Sequence, residues 1–378
     1  MTGRATERRH QRRKGVGLRP TAPATGGRDH ASGPRLSVLM PVYNAERFLV
    51  EALDSLLAQS WSAFELIAVD DASSDASSQI LHAYAGRDPR LRVIRQAVNG
   101  GVPAALNAGL HACRGELVAR ADADDVYARD RFAHQIAFLD RHPNIGVLSC
   151  GFQRMDPTGT LMDIDRPITG PSVIRFCMNF MNCLLHPGVV FRTAPVRRVG
   201  GYDERYWTAQ DSDLWARLLP VTQFDNLPDT LVRYRVHPAS RMKTRGEAGK
   251  RLSLSVPQRL LSAYLGRTVP ISDVEAASEL FRSSRPIGWA IIRTGLAVFR
   301  EVVAQAERVE PAPVRRFFRH KVARSLVRQA RHRERRAAAG LYMEAARWRH
   351  DVALAELGGY FADRSRRRQV QKIDAGRW

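Results

Sequence analysis

Two apolar periodicities alternate along the first third of the chain. "RLSVLMPVYN" (35–44) is a nearly continuous apolar run closed by Pro41 and Asn44, the pattern of a strand buried on both faces. Phe48, Leu49, Ala52, Leu53, Leu56 and Leu57 then recur at helical spacing, with Asn44 placed as an N-cap. The alternation repeats. "FELIAVDD" (64–71) predicts a second strand and "SDASSQILHAYAG" (74–86) a second helix. "LRVIRQ" (91–96) predicts a third strand, "NGG" (99–101) a turn and "PAALNAGLHAC" (103–113) a third helix. Leu117, Val118 and Ala119 begin a fourth strand inside "ELVARADADDVYARDRF" (116–132). Further strands are predicted at "IGVLSCGFQRMD" (145–156), "LLHPGVVFR" (184–192) and "DTLVRYRVH" (229–237), with a helix over "TAQDSDLWARLL" (208–219). From about residue 246 the pattern is helical and increasingly rich in arginine.

Strands that alternate with helices imply an α/β domain: a mostly parallel sheet with helices flanking both faces. Ligands in such sheets bind beyond the carboxyl ends of the strands. That rule gathers Asn44, Asp70, Asp71 and the Asp122–Asp125 cluster on one rim, although they are distant in sequence. Three segments are expected: a disordered basic tail over 1–34, an α/β domain over 35–245, and a basic helical region over 246–378.

Charge sharpens this division. The net charge is +21, yet residues 1–34 hold 8 Arg/Lys against 2 Asp/Glu and residues 308–378 hold 19 against 7. The body between them is close to neutral. Basic ends suit an anionic surface, nucleic acid or acidic lipid, or are solvated tails. In "VRRFFRHKVARSLVRQARHRERRAAAGL" (314–341), Phe317, Phe318, Val322, Leu326 and Val327 sit near helical spacing among arginines. That pattern fits either a basic helix lying on a membrane surface or a solvated bundle. Cys113, Cys150, Cys177 and Cys183 lack metal-type spacing and read as reduced cytosolic thiols. "PIGWAIIRTGLAVF" (286–299) is too short, and broken by Arg293, to span a bilayer. No apolar h-region marks a secretory leader.

The candidate chemistry is acidic. Asp122 and Asp124 flank Ala123, so in extended backbone they point to one side, with Asp125 facing away to brace the loop. Three carboxylates this close repel one another. They are either solvated in a turn or held by a hard divalent cation, Mg²⁺ or Mn²⁺, together with substrate phosphates. Asp70 and Asp71 either cap the following helix or accept hydrogen bonds from a base or a sugar hydroxyl; Asp75 or Ser74 reads as a cap alone. Neither a glycine-rich dinucleotide fingerprint nor a P-loop occurs.

"SVLMPVYNAERFLVEALDSLLAQS", "ELIAVDDASSDAS", "NGGVPAALNAGL" and "ARADADD" occur in order and together resemble the family 2 glycosyltransferases, over roughly residues 35–242. The resemblance implies the GT-A fold, a nucleotide-sugar donor, a divalent metal and transfer with inversion. It also implies site residues. Pro41, Tyr43, Asn44, Asn99 and Asn107 would line the donor site, and Asp70 or Asp71 would hold the base. Asp122 would lie near the ribose, and Asp124 would bind the metal. In "TAQDSDLW" (208–215) Asp211 matches the catalytic base, with Asp213 two positions on as its rival. Gly200 and Gly201 in "GGYDE" match the loop that approaches donor and acceptor. In "YRVHPASRM" (234–242) His237 would reach the metal or diphosphate, while His186 reads as structural. Two departures are present: Gln210 stands where relatives carry Glu, and Arg129 where they often carry Pro.

A glycan or lipid-linked acceptor follows from the resemblance, in cell-surface polysaccharide synthesis, with UDP as the default nucleotide. So does a cytoplasmic location, peripheral at the inner face of the membrane. Three alternatives compete: a nucleic-acid-binding protein acting through its arginines, an inactive sugar-nucleotide-binding relative, and a nucleotidyltransferase. The first leaves the carboxylates unexplained, since they repel phosphate, so no specific nucleic-acid partner is expected.

Overall fold

A computed structural model describes residues 33–237, 246–282, 285–334, 337–349 and 351. Residues 1–32 of the basic tail expected over 1–34, and the "PASRM" that follows His237, lie outside the described residues.

The chain order is β1 (Leu36–Val42), α1 (Glu46–Leu57), β2 (Phe64–Asp70), α2 (Ser77–Ala85), β3 (Leu91–Arg95), α3 (Val102–Ala112) and β4 (Leu117–Arg120). There follow β5 (Val126–Tyr127), α4 (Arg131–Arg141), β6 (Ile145–Met155), β7 (Leu161–Asp165), α5 (Pro171–Cys177), β8 (Val190–Arg192), α6 (Thr193–Arg198), α7 (Gln210–Leu218) and β9 (Gln223–Arg235). Four long helices complete the described chain: α8 (Gly246–Leu265), α9 (Ile271–Arg282), α10 (Trp289–Val309) and α11 (Ala312–Arg331). A shorter helical stretch follows at 337–349.

The strands form one sheet in the order β3-β2-β1-β4-β8-β6-β9-β5, with β7 folded back on β6. Strands β3, β2, β1 and β4 run parallel, with Leu36 opposite both Phe64 and Leu117. The other half is mixed. Strand β8 is antiparallel to β4 and β6, and β5 is antiparallel to β9, whereas β6 and β9 are parallel. The mostly parallel sheet read from the sequence therefore describes only the first half. The strand expected over 184–192 is also shorter: His186–Gly188 forms a 3₁₀ turn before β8. Pro187 has no N–H for a ladder, and the Gly188 carbonyl instead accepts from Gln135 Nε2 at 2.8 Å.

Side chains alternate across β1, which places Val38 and Met40 against Leu49, Leu53 and Leu56 of α1 and Ile136 of α4. Leu39, with Ile67 and Val69 of β2, faces α3 and α7 instead. Here Gly109 is essential: a Cβ would sit 2.2 Å from Leu39 Cδ1 and 2.9 Å from Val69 Cγ2. The third apolar cluster joins α5 to the C-terminal helices. Phe176 and Phe180 pack with Phe281, Phe299 and Phe318 around a shared aromatic centre. Phe318, Val322, Leu326 and Val327 of α11 are all inside it. The apolar face that could have entered a lipid surface is thus consumed by the bundle, and only the arginine face is free of the core. Among the described residues no helix is long and apolar enough to cross a membrane.

Connections from β1 lead through β2 to β3 on one side, and β4 returns on the other. The β1/β4 boundary is a topological switch point, the place where the carboxyl ends of parallel strands open a crevice. The acidic motif leaves β4 at that point.

Candidate active site

Strand β4 ends at Arg120, and the chain then alternates Ala121 (buried), Asp122, Ala123 (buried), Asp124 and Asp125. The two alanines fill the core, which turns Asp122 and Asp124 together. Asp125 points inward and is fully buried; its Oδ1 accepts the Arg235 backbone N–H at 2.8 Å. This bracing role is the one its position predicted. One oxygen from each of Asp122, Asp124 and Asp125 lies within 4.8 Å of the others. Desolvation lifts the Asp125 carboxyl well above the usual range, and the neighbouring charges of Asp124 and Asp122 add to it. Asp122 is raised for the same two reasons, against the pull of Arg120, whose Nη2 lies 2.6 Å from Asp122 Oδ1.

Strand β9 supplies the facing groups. His237 follows its end, and His237 Nε2 lies 2.8 Å from Asp124 Oδ2. The imidazole is packed against the Phe48 ring of α1, centroids 5.3 Å apart. Arg235 is 3% exposed and holds the loop from beneath. Its Nε donates to the Asp124 carbonyl at 2.8 Å, its Nη2 pairs with Glu51, and its guanidinium lies 4.5 Å over Phe48.

These donors fit a hard divalent cation. Clustered carboxylate oxygens are the ligand type Mg²⁺ and Mn²⁺ prefer, and Asp125 Oδ2 is a buried acceptor with no hydrogen-bond partner. An added positive charge would relieve the repulsion that raises Asp122 and Asp125. Asp122 and Asp124 are the more exposed of the set, with His237 less so and Asp125 buried.

Helix α7 brings a further carboxylate near the cluster. Ala209 precedes it in left-handed backbone, φ 58°, and Asp211 stands in its first turn, where the helix dipole favours an anion. Asp211 Oδ2 accepts from Asn182 Nδ2 at 2.8 Å, and Oδ1 from the Ser212 N–H at 2.8 Å. Asp213 is different. It is 1% exposed, with Arg217 Nε on one oxygen and Arg259 Nη2 on the other, both at 2.8 Å. Asp213 thus ties α7 to α8, leaving Asp211 as the carboxylate at the cleft. Asp211 is also close enough for its charge to raise Asp122.

The donor-side residues are brought to the same rim, but several of their polar atoms serve the loops. Asp71 accepts the Gly100 N–H at 2.8 Å and the Gly101 N–H at 2.9 Å, and Asn99 Nδ2 reaches the Asp71 carbonyl at 3.2 Å. Asp70 is fully buried; its Oδ1 accepts the Ser73 N–H at 2.9 Å. Asn44 was placed as a cap of α1, yet its Oδ1 accepts the Ser74 N–H at 2.9 Å, and the N-cap position is Ala45, whose side chain makes no capping bond. The reason is its backbone, φ 47°, which turns the side chain toward the neighbouring loop. Asp75 does cap: its Oδ1 takes the Ser77 N–H at 2.9 Å and its Oδ2 the Glu46 N–H at 3.0 Å. Asn107 grips Tyr202 through both backbone groups, at 2.8 and 2.9 Å. Gly201, φ 68°, lies so close that a Cβ would sit 2.8 Å from Asn107 Oδ1; Gly200 is also left-handed, φ 83°. Pro41 is half-buried in β1, and Tyr43 is 45% exposed beside it.

Sequence reasoning missed Arg120, Arg235 and Asn182. An arginine amid a buried strand, as in "LVAR", and alternation in "VRYRVH" were the available signals for the first two; nothing marked Asn182. His186, read as structural, is buried with Nε2 3.0 Å from Tyr202 Oη, and desolvation together with Arg120 drops its pKa well below 6.5.

The family model "Glycosyl transferase family 2" matches residues 37–199. The y4gI protein of Sinorhizobium fredii is 31% identical over 63% of this chain, a match spanning only 26% of that protein. The amylovoran biosynthesis glycosyltransferase AmsE of Erwinia amylovora is 31% identical over 56% of this chain and 79% of its own length. S. aureus TarS 1–349, solved with UDP-GlcNAc, is 19% identical and superposes with a TM-score of 0.53 over 86% of this chain and 92% of its own. With the acidic switch-point motif and the α7 carboxylate in place, these likenesses establish that the chain belongs to glycosyl transferase family 2.

Proposed function

We propose that the protein is an inverting, divalent-cation-dependent glycosyltransferase that moves a sugar from a nucleoside-diphosphate donor to a hydroxyl of a glycan or lipid-linked acceptor. The observation that carries this reading is the Asp122/Asp124/Asp125 cluster joined by His237, with Asp211 near enough for its charge to act on Asp122. Asp124 and His237 hold the cation, Mn²⁺ or Mg²⁺, and Asp122 takes the ribose side. A cation there supplies positive charge against the leaving diphosphate. Asp211, steadied by Asn182, accepts the proton of the acceptor hydroxyl. The hydroxyl oxygen bonds to the anomeric carbon as the carbon–diphosphate bond breaks, and the bonding pair leaves with the nucleoside diphosphate. Because one base acts opposite the leaving group, the configuration inverts. A UDP donor is favoured by TarS, which was solved with UDP-GlcNAc, and polysaccharide synthesis by AmsE.

The direct test is proton NMR of the sugar released from an α-linked UDP-sugar at early times. Inversion gives the β-anomer first; initial appearance of the α-anomer refutes the single-base mechanism. For location, we read α11, with six Arg, one Lys and no acidic residue, as an electrostatic contact for the anionic inner face of the cytoplasmic membrane. With its apolar face buried, charge alone must act. Binding to phosphatidylglycerol vesicles should therefore vanish at high salt, and salt-resistant binding contradicts this reading.

A further inference from the structure

Three departures from ordinary packing fall on consecutive residues just ahead of α7. Trp207 is 51% exposed, and among the described residues no ring or guanidinium is stacked on it. Trp289, the other markedly exposed tryptophan among the described residues, is covered by the Arg333 guanidinium 5.1 Å from its ring. Thr208 is 6% exposed, and its Oγ1 is buried without a hydrogen-bond partner. Ala209 occupies left-handed backbone, φ 58°. An unpaired buried hydroxyl costs about 1–3 kcal/mol, and the Ala209 conformation about 1–2 kcal/mol. Violations of this kind concentrate at functional positions. Two residues further on stands Asp211.

We propose that Trp207 is the platform of the acceptor subsite and that its ligand is a neutral hexopyranose unit. The inference rests on the glycosyltransferase reading above and adds the class of acceptor. A pyranose ring has a face of C–H groups that stacks on an indole, while its rim hydroxyls remain free to hydrogen-bond. Stacking there holds the sugar beside Asp211, which must reach one of its hydroxyls. The charges of the loop favour a neutral partner: Arg205 Nη2 lies 2.7 Å from Asp203 Oδ2, so the pair cancels, and Glu204 accepts from Asn107 Nδ2 at 3.2 Å. An anionic sugar would find no unpaired cation in the 203–209 loop among these contacts.

The test uses the full chain with Mg²⁺ and whichever of UDP, GDP or dTDP it binds. Methyl pyranosides of glucose, galactose, mannose and N-acetylglucosamine are titrated and observed by saturation-transfer NMR. Calorimetry of the nucleotide on the same samples reads the donor site independently. At least one pyranoside should show transfer concentrated on one ring face. Trp207→Ala should raise its Kd about three- to tenfold, the range of an aromatic stacking contact, and Trp207→Phe should raise it less. The nucleotide Kd should be the same in all three proteins. Nucleotide binding without any pyranoside signal in the wild type overturns this inference alone, as does an unchanged pyranoside Kd in Trp207→Ala. Failure of all three nucleotides to bind overturns the glycosyltransferase reading itself.

Discussion

Asp211 and Asp213 lie two residues apart on one helix in different surroundings, Asp213 buried between two arginines and Asp211, the proposed base, held by Asn182 and the Ser212 N–H. Replacing each by Asn should separate catalysis from stability. In Asp213→Asn a buried carboxylate loses its charge while Arg217 and Arg259 remain. Each of its two bonds, at 2.8 Å, is charge-assisted, and such bonds contribute about 1.5–3 kcal/mol apiece. The two guanidinium groups are 26% and 47% exposed and recover some hydration, and Asn keeps one acceptor. A loss of about 3 kcal/mol is therefore expected, at the low end for breaking a buried pair. Asp211→Asn keeps the shape and one acceptor for Asn182, so its stability should change by less than about 1 kcal/mol. Its kcat should fall about 10²–10⁴-fold, the contribution of a positioned base. Urea unfolding followed by fluorescence, alongside turnover of the nucleotide sugar, reads both effects. The reasoning fails if Asp213→Asn loses turnover at unchanged stability while Asp211→Asn retains it.

Two further outcomes follow from the loops around the site. Arg235→Met removes the donor to the Asp124 carbonyl and the cation over Phe48, so half-saturating Mn²⁺ should rise at least about tenfold, a loss of about 1.4 kcal/mol in metal binding; an unchanged metal titration would show that the loop holds itself. His186 stays neutral in the fold because burial and Arg120 depress its pKa. The unfolded chain binds a proton near pH 6.5 that the fold refuses, so this stability is complete above that pH and lost as pH falls. The loss is about 1.4 kcal/mol per unit below 6.5, and His186→Asn should unfold in urea with that much less pH dependence; equal slopes would remove His186 from the account.

The alternation of strand and helix through Leu117–Arg120 was legible because β1, β2 and β4 are buried on both faces and each helix carries one apolar stripe; only the edge strand β3 is partly exposed. Beyond it, the pattern weakens for physical reasons. Strand β7 exposes Leu161, Met162 and Ile164, so burial does not write an alternation there. Pro187 turns the apolar run 184–192 into a 3₁₀ turn before β8 begins. The apolar spacing of Phe318, Val322, Leu326 and Val327 showed a helix with one buried face, but not whether lipid or protein covers it. At the site, the groups proposed to carry the chemistry stood out in the sequence, Asp122 and Asp124 by their carboxylates and Asp211 and His237 by the family motifs they match. Residues that act through others did not. Asn182 reaches Asp211 across 29 positions and Arg235 reaches Asp124 across 111, contacts that only the closed sheet creates. Asp71 and Asn107, read as donor contacts, also hold loops in place, through the Gly100 and Gly101 amides and the Tyr202 backbone respectively.

The central claim is that the Asp124 cluster holds a cation and a nucleoside diphosphate together. Isothermal titration of UDP, GDP and dTDP, each with and without Mn²⁺, on the wild type and Asp124→Asn tests it most directly. One nucleotide should bind only with Mn²⁺, and Asp124→Asn should lose that binding. Equal binding with and without the metal, or undiminished binding in Asp124→Asn, would contradict the account.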